Sequence, residues 1–228
     1  LKVVVARQIA ALNFDLLLKF REGFRGFFSI TLDLDSHVSP VYGRQQRAGR
    51  GYNPKKKGRR SYHPLFCFIG ETRDYLAGLL RSGKHHTSYQ AIQAAMLAQK
   101  VSFKKLPAHI QKIRLRADSG FFSLDFLKFL VKRSIEFYVV VPLQPWIQKK
   151  IWGIKDWKDM GWGVAVSELE YVLAKGIILR LVVIRKRVKR GESPKKQLKL
   201  LAMEEVLYDY QVIVTNGLLV AEAVGRFY

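Results

Sequence analysis

Runs of apolar residues along the chain predict the strands of a sheet. SITLDLDS at 29–36 alternates aliphatic or β-branched residues with polar ones, which is typical of a half-buried strand. PLFCFIGETRDYLAGLLRSG at 64–83 predicts two strands joined by a turn at Thr72–Asp74. KIRLRADSGFF predicts a strand that ends near Asp118, and the unbroken apolar run EFYVVVPL at 136–143 predicts a fully buried one.

Segments with helical spacing of apolar residues separate these strands. VVVARQIAALNFDLLLKF, within residues 1–28, predicts a first helix. A second helix is predicted from a cap at Thr87 or Ser88 to about Lys100, and a third from the capping residue Ser123. The residues of the third helix expected to pack on the sheet are Leu124, Leu127, Leu130 and Val131. This order of strands and helices predicts an α/β sheet with at least some parallel connections.

The pattern changes after Trp146. VAVSELEYV and IILRLVVIRKR predict two long strands, which are followed by a basic turn and a third run, LKLLAMEEV. All four tryptophans lie at the start of this part, where we expect them to form its core, with a base-stacking platform as the alternative. The predicted domains are an N-terminal region (1–28), a core (29–145), a β-rich insertion (146–209) and a return to the core (210–228).

The charge balance points to a polyanionic partner. The chain carries 40 Lys and Arg against 18 Asp and Glu, a formal net charge of +22, and a folded protein this basic usually binds nucleic acid. No apolar run approaches the roughly 18 residues of a spanning helix, so no membrane partner is expected. No signal peptide opens the chain, which indicates a cytoplasmic protein. Cys67 is the only cysteine, which excludes an internal disulfide and a cysteine zinc cluster.

Two segments concentrate the positive charge. Residues 43–63 predict a basic loop that either contacts phosphates, with Tyr52 and Tyr62 available to stack, or is merely solvated. Residues 185–196 predict a basic hairpin tip with the same two interpretations. The candidate DNA-binding residues are Arg44, Arg47, Arg50, Lys55, Lys56, Lys57, Arg59, Arg60, Lys186, Arg187, Lys189 and Arg190.

Two predicted strands end on an aspartate followed by serine. Asp35 and Asp118 would come together if their strands are neighbours, and paired carboxylates bind Mg²⁺ or Mn²⁺ for phosphodiester chemistry. Asp33 points to the same side of its strand as Asp35, because side chains alternate with period two. The alternative for each aspartate is ordinary turn chemistry, in which the side chain accepts hydrogen bonds from nearby amides.

Longer strings carry a family resemblance. Seven sequence blocks follow one another along the chain: DLDS, VYGRQ, GYNPKKKGRRSYHPL, ETRDYLAGLLRSG, RADSGFF, VTNGLL and GRFY. Similar blocks occur in the same order in the DDE-type transposases of bacterial insertion sequences, which the chain resembles. The resemblance implies an RNase H-like mixed sheet flanked by helices, related to retroviral integrases, with a β-rich insertion. It also implies Asp35 and Asp118 as catalytic metal ligands, with Asp33 as the alternative to Asp35, and Mg²⁺ or Mn²⁺ as cofactor.

The implied reaction is hydrolysis at transposon ends and strand transfer into target DNA. The resemblance further implies a homodimeric parent protein, associated with the bacterial nucleoid.

In many of these enzymes a tyrosine is followed by an arginine and the catalytic glutamate. Tyr228 matches that tyrosine, so we expect a fragment that lacks the third carboxylate and is inactive by itself. The rival interpretation is an inactive remnant that only binds nucleic acid. Glu222 is expected to be an exposed helix residue, His63 to be structural, and His85 and His86 to lie in a polar loop.

Overall fold

The first Asp-Ser strand lies inside a mixed sheet. In the computed structural model, which describes residues 3–51, 53, 57–86, 88, 90–102, 105–188 and 208–228, the chain divides into two units, Leu1–Ile135 and Glu136–Tyr228. The elements of the first unit are α1 (Val3–Phe20), β1 (Ser29–Ser36), β2 (Ser39–Pro40), β3 (Gly49–Arg50), β4 (Arg60–Tyr62), β5 (Leu65–Ile69), β6 (Asp74–Leu79), α2 (Ala91–Ser102), β7 (Lys112–Ala117) and α3 (Leu124–Lys132).

Strand β1 is central in the sheet of the first unit. It pairs antiparallel with β5 and parallel with β7, and β5 pairs antiparallel with β6, which gives the order β6-β5-β1-β7. Helix α1 packs on β6 and α2, and Arg21 after its end forms a two-bond ion pair with Asp74 at 2.8 and 2.9 Å. The mixed sheet flanked by helices that the predicted fold class calls for is confirmed.

The local signals of the third helix are confirmed with one exception. Ser123 caps α3, and its hydroxyl accepts a hydrogen bond from the Phe126 N–H at 3.3 Å. Leu127 and Leu130 are fully buried, but Leu124 is half exposed, so its predicted packing on the sheet is wrong. The buried face is centred on Phe126, Leu127 and Leu130, and Leu124 lies roughly 110° from that centre at 100° per residue.

The basic segment 43–63 is not the plain loop that the sequence predicts. Strand β4 pairs with both β2 and β3 to form a small antiparallel sheet, so the segment contains a hairpin of β3 and β4. Glycines allow this arrangement, since a Cβ atom at Gly83 would lie only 2.6 and 2.8 Å from the Ser61 and Gly49 carbonyl oxygens. We call residues 43–63 the basic hairpin.

The second unit is built on an antiparallel sheet. Its elements are β8 (Glu136–Val141), α4 (Pro145–Trp152), β9 (Lys158–Gly161), β10 (Val164–Ala174), β11 (Ile177–Arg187), β12 (Tyr208–Thr215) and α5 (Ala221–Phe227). The strand order is β8-β12-β11-β10-β9. The buried strand at 136–143 and the two long strands of the insertion are confirmed. The domain boundaries drawn from the sequence stay a prediction, and LKLLAMEEV lies outside the described residues.

Three features of the second unit differ from the sequence predictions. Helix α4 is not among the predicted helices; it begins at Pro145 and buries Ile147 and Ile151 one turn apart. The tryptophans do not form a core: none of the four is buried, and Trp162 is 99% exposed. Glu222 is not exposed but forms an ion pair with Lys158. No helix in the described part of the chain is long and apolar enough to cross a membrane.

Candidate metal centre

The parallel pairing of β1 and β7 brings Asp35 and Asp118 together. Leu34 lies opposite Ala117 in the register of the two strands, so the residues that follow them, Asp35 and Asp118, lie at the same edge of the sheet. Their carboxylates are close enough for the charge of Asp35 to act on Asp118. The two aspartates therefore lie close together in the structure, as predicted.

Each of the two carboxylates also accepts a hydrogen bond from a nearby backbone amide, as the alternative interpretation, turn chemistry, predicts. Asp35 Oδ1 accepts a hydrogen bond from the Ser36 N–H at 2.7 Å, and Asp118 Oδ1 accepts one from the Gly120 N–H at 2.9 Å. Asp118 in this way caps the short 3-10 turn Ser119–Phe121. Turn chemistry and a metal site are compatible here, because the amide bonds fix the direction in which each carboxylate points.

Burial and like charge act together on Asp118. Desolvation raises the pKa of its carboxyl above the ordinary value, and the charge of Asp35 raises that pKa further. The Gly120 and Phe121 amides oppose the shift. Two exposed carboxylates that repel each other at one edge of a sheet are stabilised by a cation between them, so this donor set fits a hard divalent ion.

His63 connects β1 to the segment beyond β6. Its side chain is 4% exposed, with Nδ1 2.9 Å from the His85 carbonyl oxygen and Nε2 3.3 Å from the Ser36 hydroxyl. Because a carbonyl oxygen can only accept, Nδ1 carries the hydrogen and Nε2 accepts from Ser36. Burial lowers the pKa of His63, in agreement with a neutral ring. The imidazole therefore fixes Ser36, the residue next to Asp35.

A buried arginine supports the same segment. Arg81 is 3% exposed, and its Nε and Nη1 donate to the carbonyl oxygens of His63 and His86 at 2.8 and 3.1 Å. The His85 and His86 carbonyl oxygens thus accept hydrogen bonds from His63 and Arg81, and the His86 ring contacts the Ser88 hydroxyl at 3.0 Å. Arg81 cannot be singled out from the sequence, since it occurs among the many cations of a basic chain.

Asp33 is held by a different partner. Arg116 lies opposite Asp33 across the β1–β7 pair, and its Nε and Nη2 donate to the two carboxylate oxygens at 2.7 and 2.6 Å. This two-bond geometry is the strong form of an arginine–carboxylate pair. The positive charge of Arg116 therefore neutralises Asp33, whereas Asp35 and Asp118 have no such pair among the described ion pairs.

The centre contains two carboxylates, those of Asp35 and Asp118. Within the described ranges, no group of three or more His, Cys, Asp or Glu side chains is arranged to hold a metal ion. Cys67 is buried, and burial raises the pKa of its thiol, so it supplies no soft thiolate ligand. The two carboxylates therefore offer only oxygen atoms as potential ligands.

Comparison with known families decides which kind of protein carries this centre. The family described as "Transposase DDE domain group 1" matches residues 2–160, a stretch that contains both Asp35 and Asp118. The chain belongs to this transposase DDE family. Among solved structures, the piggyBac transposase in a cryo-EM synaptic complex with hairpin DNA matches with a TM-score of 0.45 and 12% identity. The match covers 87% of this chain but 37% of that protein. A comparison with curated proteins finds no match.

In this transposase DDE domain, the candidate phosphate-contacting residues lie on exposed surface wherever they are described. Those of the basic hairpin are Arg44, Arg47, Arg50, Lys57, Arg59 and Arg60, all exposed. Lys186 and Arg187 are exposed at the end of β11. Tyr52, Lys55, Lys56, Lys189 and Arg190 lie outside the described residues. Tyr62, which the sequence offered for stacking, is half-buried and its hydroxyl donates to the Gln46 carbonyl oxygen at 2.6 Å.

We expect His63→Leu to weaken binding of Mn²⁺ at the Asp35–Asp118 centre by roughly 10-fold, the lower end of the effect of losing an outer-shell partner. The physical reason is that Ser36 and the end of β1 lose their fixed position. Ser36→Ala, which removes the same hydrogen bond and leaves the imidazole in place, should reproduce most of the loss. Isothermal titration with Mn²⁺ measures both. Unchanged affinity in both variants would show that His63 only supports the fold.

Proposed function

We propose that this chain is the catalytic core of a DNA transposase of an insertion sequence. In this proposal Asp35 and Asp118 hold the Mg²⁺ or Mn²⁺ ions used for phosphodiester hydrolysis and strand transfer. The observation that carries the proposal is the adjacency of these two carboxylates at the ends of parallel strands, in a member of a transposase DDE family. By the family resemblance, the DNA partners are transposon ends and target DNA, and the acting species is a homodimer in the bacterial nucleoid.

The chain's own residues prepare the site for a divalent ion. When bound, such an ion supplies Lewis acidity to phosphoryl oxygens and lowers the pKa of bound water. Amide hydrogen bonds orient Asp118 and Asp35, and His63 holds Ser36 beside them. Asp33 is engaged by Arg116, which favours Asp35 over Asp33 as the ligand on β1. Arg116 and Asp33 are thus assigned to positioning β1 against β7.

A second function, DNA binding without cleavage, is favoured by one specific observation. The described residues bring two carboxylates to the centre rather than the three that the family resemblance implies. Two ligands hold a divalent ion more weakly and orient it less well than three. The basic surface would remain able to bind DNA, because its charges do not depend on the metal.

The test is Mn²⁺-dependent nicking of supercoiled plasmid by the full-length protein. We expect nicking in the wild-type protein and a loss of at least about 100-fold in both Asp35→Asn and Asp118→Asn, because each change removes a charged ligand. Asp125→Asn, an exposed carboxylate of α3, is the matched control and should nick like wild type. Binding without nicking by the full-length protein would establish the second function and overturn the first.

A further inference from the structure

Trp162 is the one exposed tryptophan of the four, all of which lie in the described part of the chain. Its side chain is 99% exposed. Trp146 stacks on Tyr171 with ring centroids 5.5 Å apart, and Trp157 lies under the Arg185 guanidinium at 4.1 Å. A tryptophan normally stabilises a fold mainly through the apolar area of its buried indole. Trp162 contributes no such stabilisation, because its indole is exposed.

The backbone at this position makes the tryptophan still less expected. Strands β9 and β10 are joined by a two-residue turn, Trp162–Gly163, closed by the pairing of Gly161 with Val164. The φ angles of Trp162 and Gly163 are +57° and +72°, typical of a type I′ turn, in which asparagine and glycine are the favoured residues. A bulky side chain at positive φ is strained. Local folding therefore does not explain why tryptophan occupies the tip of this hairpin, and such local conflicts are expected at functional positions.

Positive charge lies beside the exposed indole. The Arg187 N–H donates to the Gly163 carbonyl oxygen at 2.8 Å, and Lys186 lies opposite Val164, so the end of β11 runs against the turn. Both cationic side chains are exposed. The nearby acid Asp159 is also exposed, and its Oδ1 accepts a hydrogen bond from the Gly161 N–H at 3.0 Å. An apolar ring flanked by exposed cations combines the two contacts that proteins use for unpaired nucleotides.

We propose that the turn tip formed by Trp162, Lys186 and Arg187 binds an unpaired nucleotide of DNA. The indole stacks on the base, and the two cations neutralise the neighbouring phosphates. An intact duplex is a poor ligand for this tip, because its base faces are covered by their neighbours. A single strand, a distorted end or an extruded base offers a free face. This binding site goes beyond the proposed function, since it uses neither Asp35 nor Asp118.

The test compares fluorescence anisotropy titrations with labelled oligothymidine and with a blunt duplex of the same length. Trp162→Ala should lower affinity for the single strand by about 5- to 150-fold, the range for losing one base stack, and change duplex affinity by less than about twofold. Trp162→Phe should keep most of the affinity, since it keeps a stacking face. Phe20→Ala, which removes another exposed aromatic ring, is the matched control.

Two further measurements separate stacking from charge and from misfolding. Trp162→Asn should raise the melting temperature, because asparagine suits the turn, and should still lose single-strand affinity. Lys186→Gln and Arg187→Gln should each reduce the salt dependence of single-strand binding by about 0.7 in log–log slope, which Trp162→Ala leaves unchanged. Asp118→Asn should leave this binding intact, so failure of the metal centre is distinguishable from failure of this site. Unchanged single-strand affinity in Trp162→Ala, or an equal loss on duplex, would overturn the proposal.

Discussion

Asp118→Asn is expected to lower the affinity of the chain for Mn²⁺ by at least about 100-fold, beyond the 10- to 100-fold typical of outer-shell changes. The substitution keeps the shape of the side chain and the acceptor oxygen that caps the turn at Gly120. It removes the negative charge that, with Asp35, makes this edge of the sheet attractive to a cation. Electron paramagnetic resonance of free Mn²⁺ measures the affinity without any requirement for activity.

Variants of the neighbouring pair test which aspartate of β1 is the ligand. Asp35→Asn should match Asp118→Asn, whereas Asp33→Asn should have a smaller effect that arises indirectly, from the unpaired charge of Arg116. The double variant Asp33→Asn with Arg116→Gln removes that charge and should recover most of the Mn²⁺ affinity. An Asp33→Asn loss as large as that of Asp118→Asn, with no recovery in the double variant, would instead assign the metal to Asp33.

The parts of the fold that the sequence predicts correctly rest on local signals. The alternation in β1 and the serine before α3 are each contained in a few residues, and both occur where the sequence places them. Helix α4 was missed because its Trp-rich sequence was interpreted by composition, although Pro145 is a recognised helix start. The basic hairpin was missed because β3 and β4 are only two and three residues long, below the length at which alternation is visible.

The parts of the candidate site that the sequence could not predict depend on pairing between distant residues. The Asp33–Arg116 contact joins residues 83 apart and requires the exact register of two parallel strands. The His63–Ser36 contact joins residues 27 apart across β1 and β5. Trp162 is a different case, since the Gly-Trp-Gly sequence at 161–163 is itself a turn signal. That local signal favours an exposed ring, and the expectation of a tryptophan core did not take it into account.

Replacing the six described cations of the basic hairpin by glutamine is expected to lower duplex DNA affinity by several orders of magnitude at low salt. Each phosphate contact on B-DNA contributes about 0.9 to the log–log salt slope, so full engagement of six predicts a loss of about 5. The hairpin is suited to this because its strands are fixed: Tyr62 bonds to Gln46, and the Arg59 guanidinium lies 4.7 Å from the Tyr42 ring. Filter binding over a range of salt concentrations measures affinity and slope together.

A matched control separates these contacts from the effect of net charge alone. Six exposed cations on and beside α3 and α4 can be replaced by glutamine, which lowers the net charge of +22 by the same amount. They are Lys128, Lys132, Arg133, Lys149, Lys150 and Lys155. The control should lose much less affinity and slope, because contacts beyond a Debye length of about 8–10 Å are largely screened. Equal losses in the two sets would mean that the hairpin binds DNA only through the overall charge, and would assign phosphate contact to no particular surface.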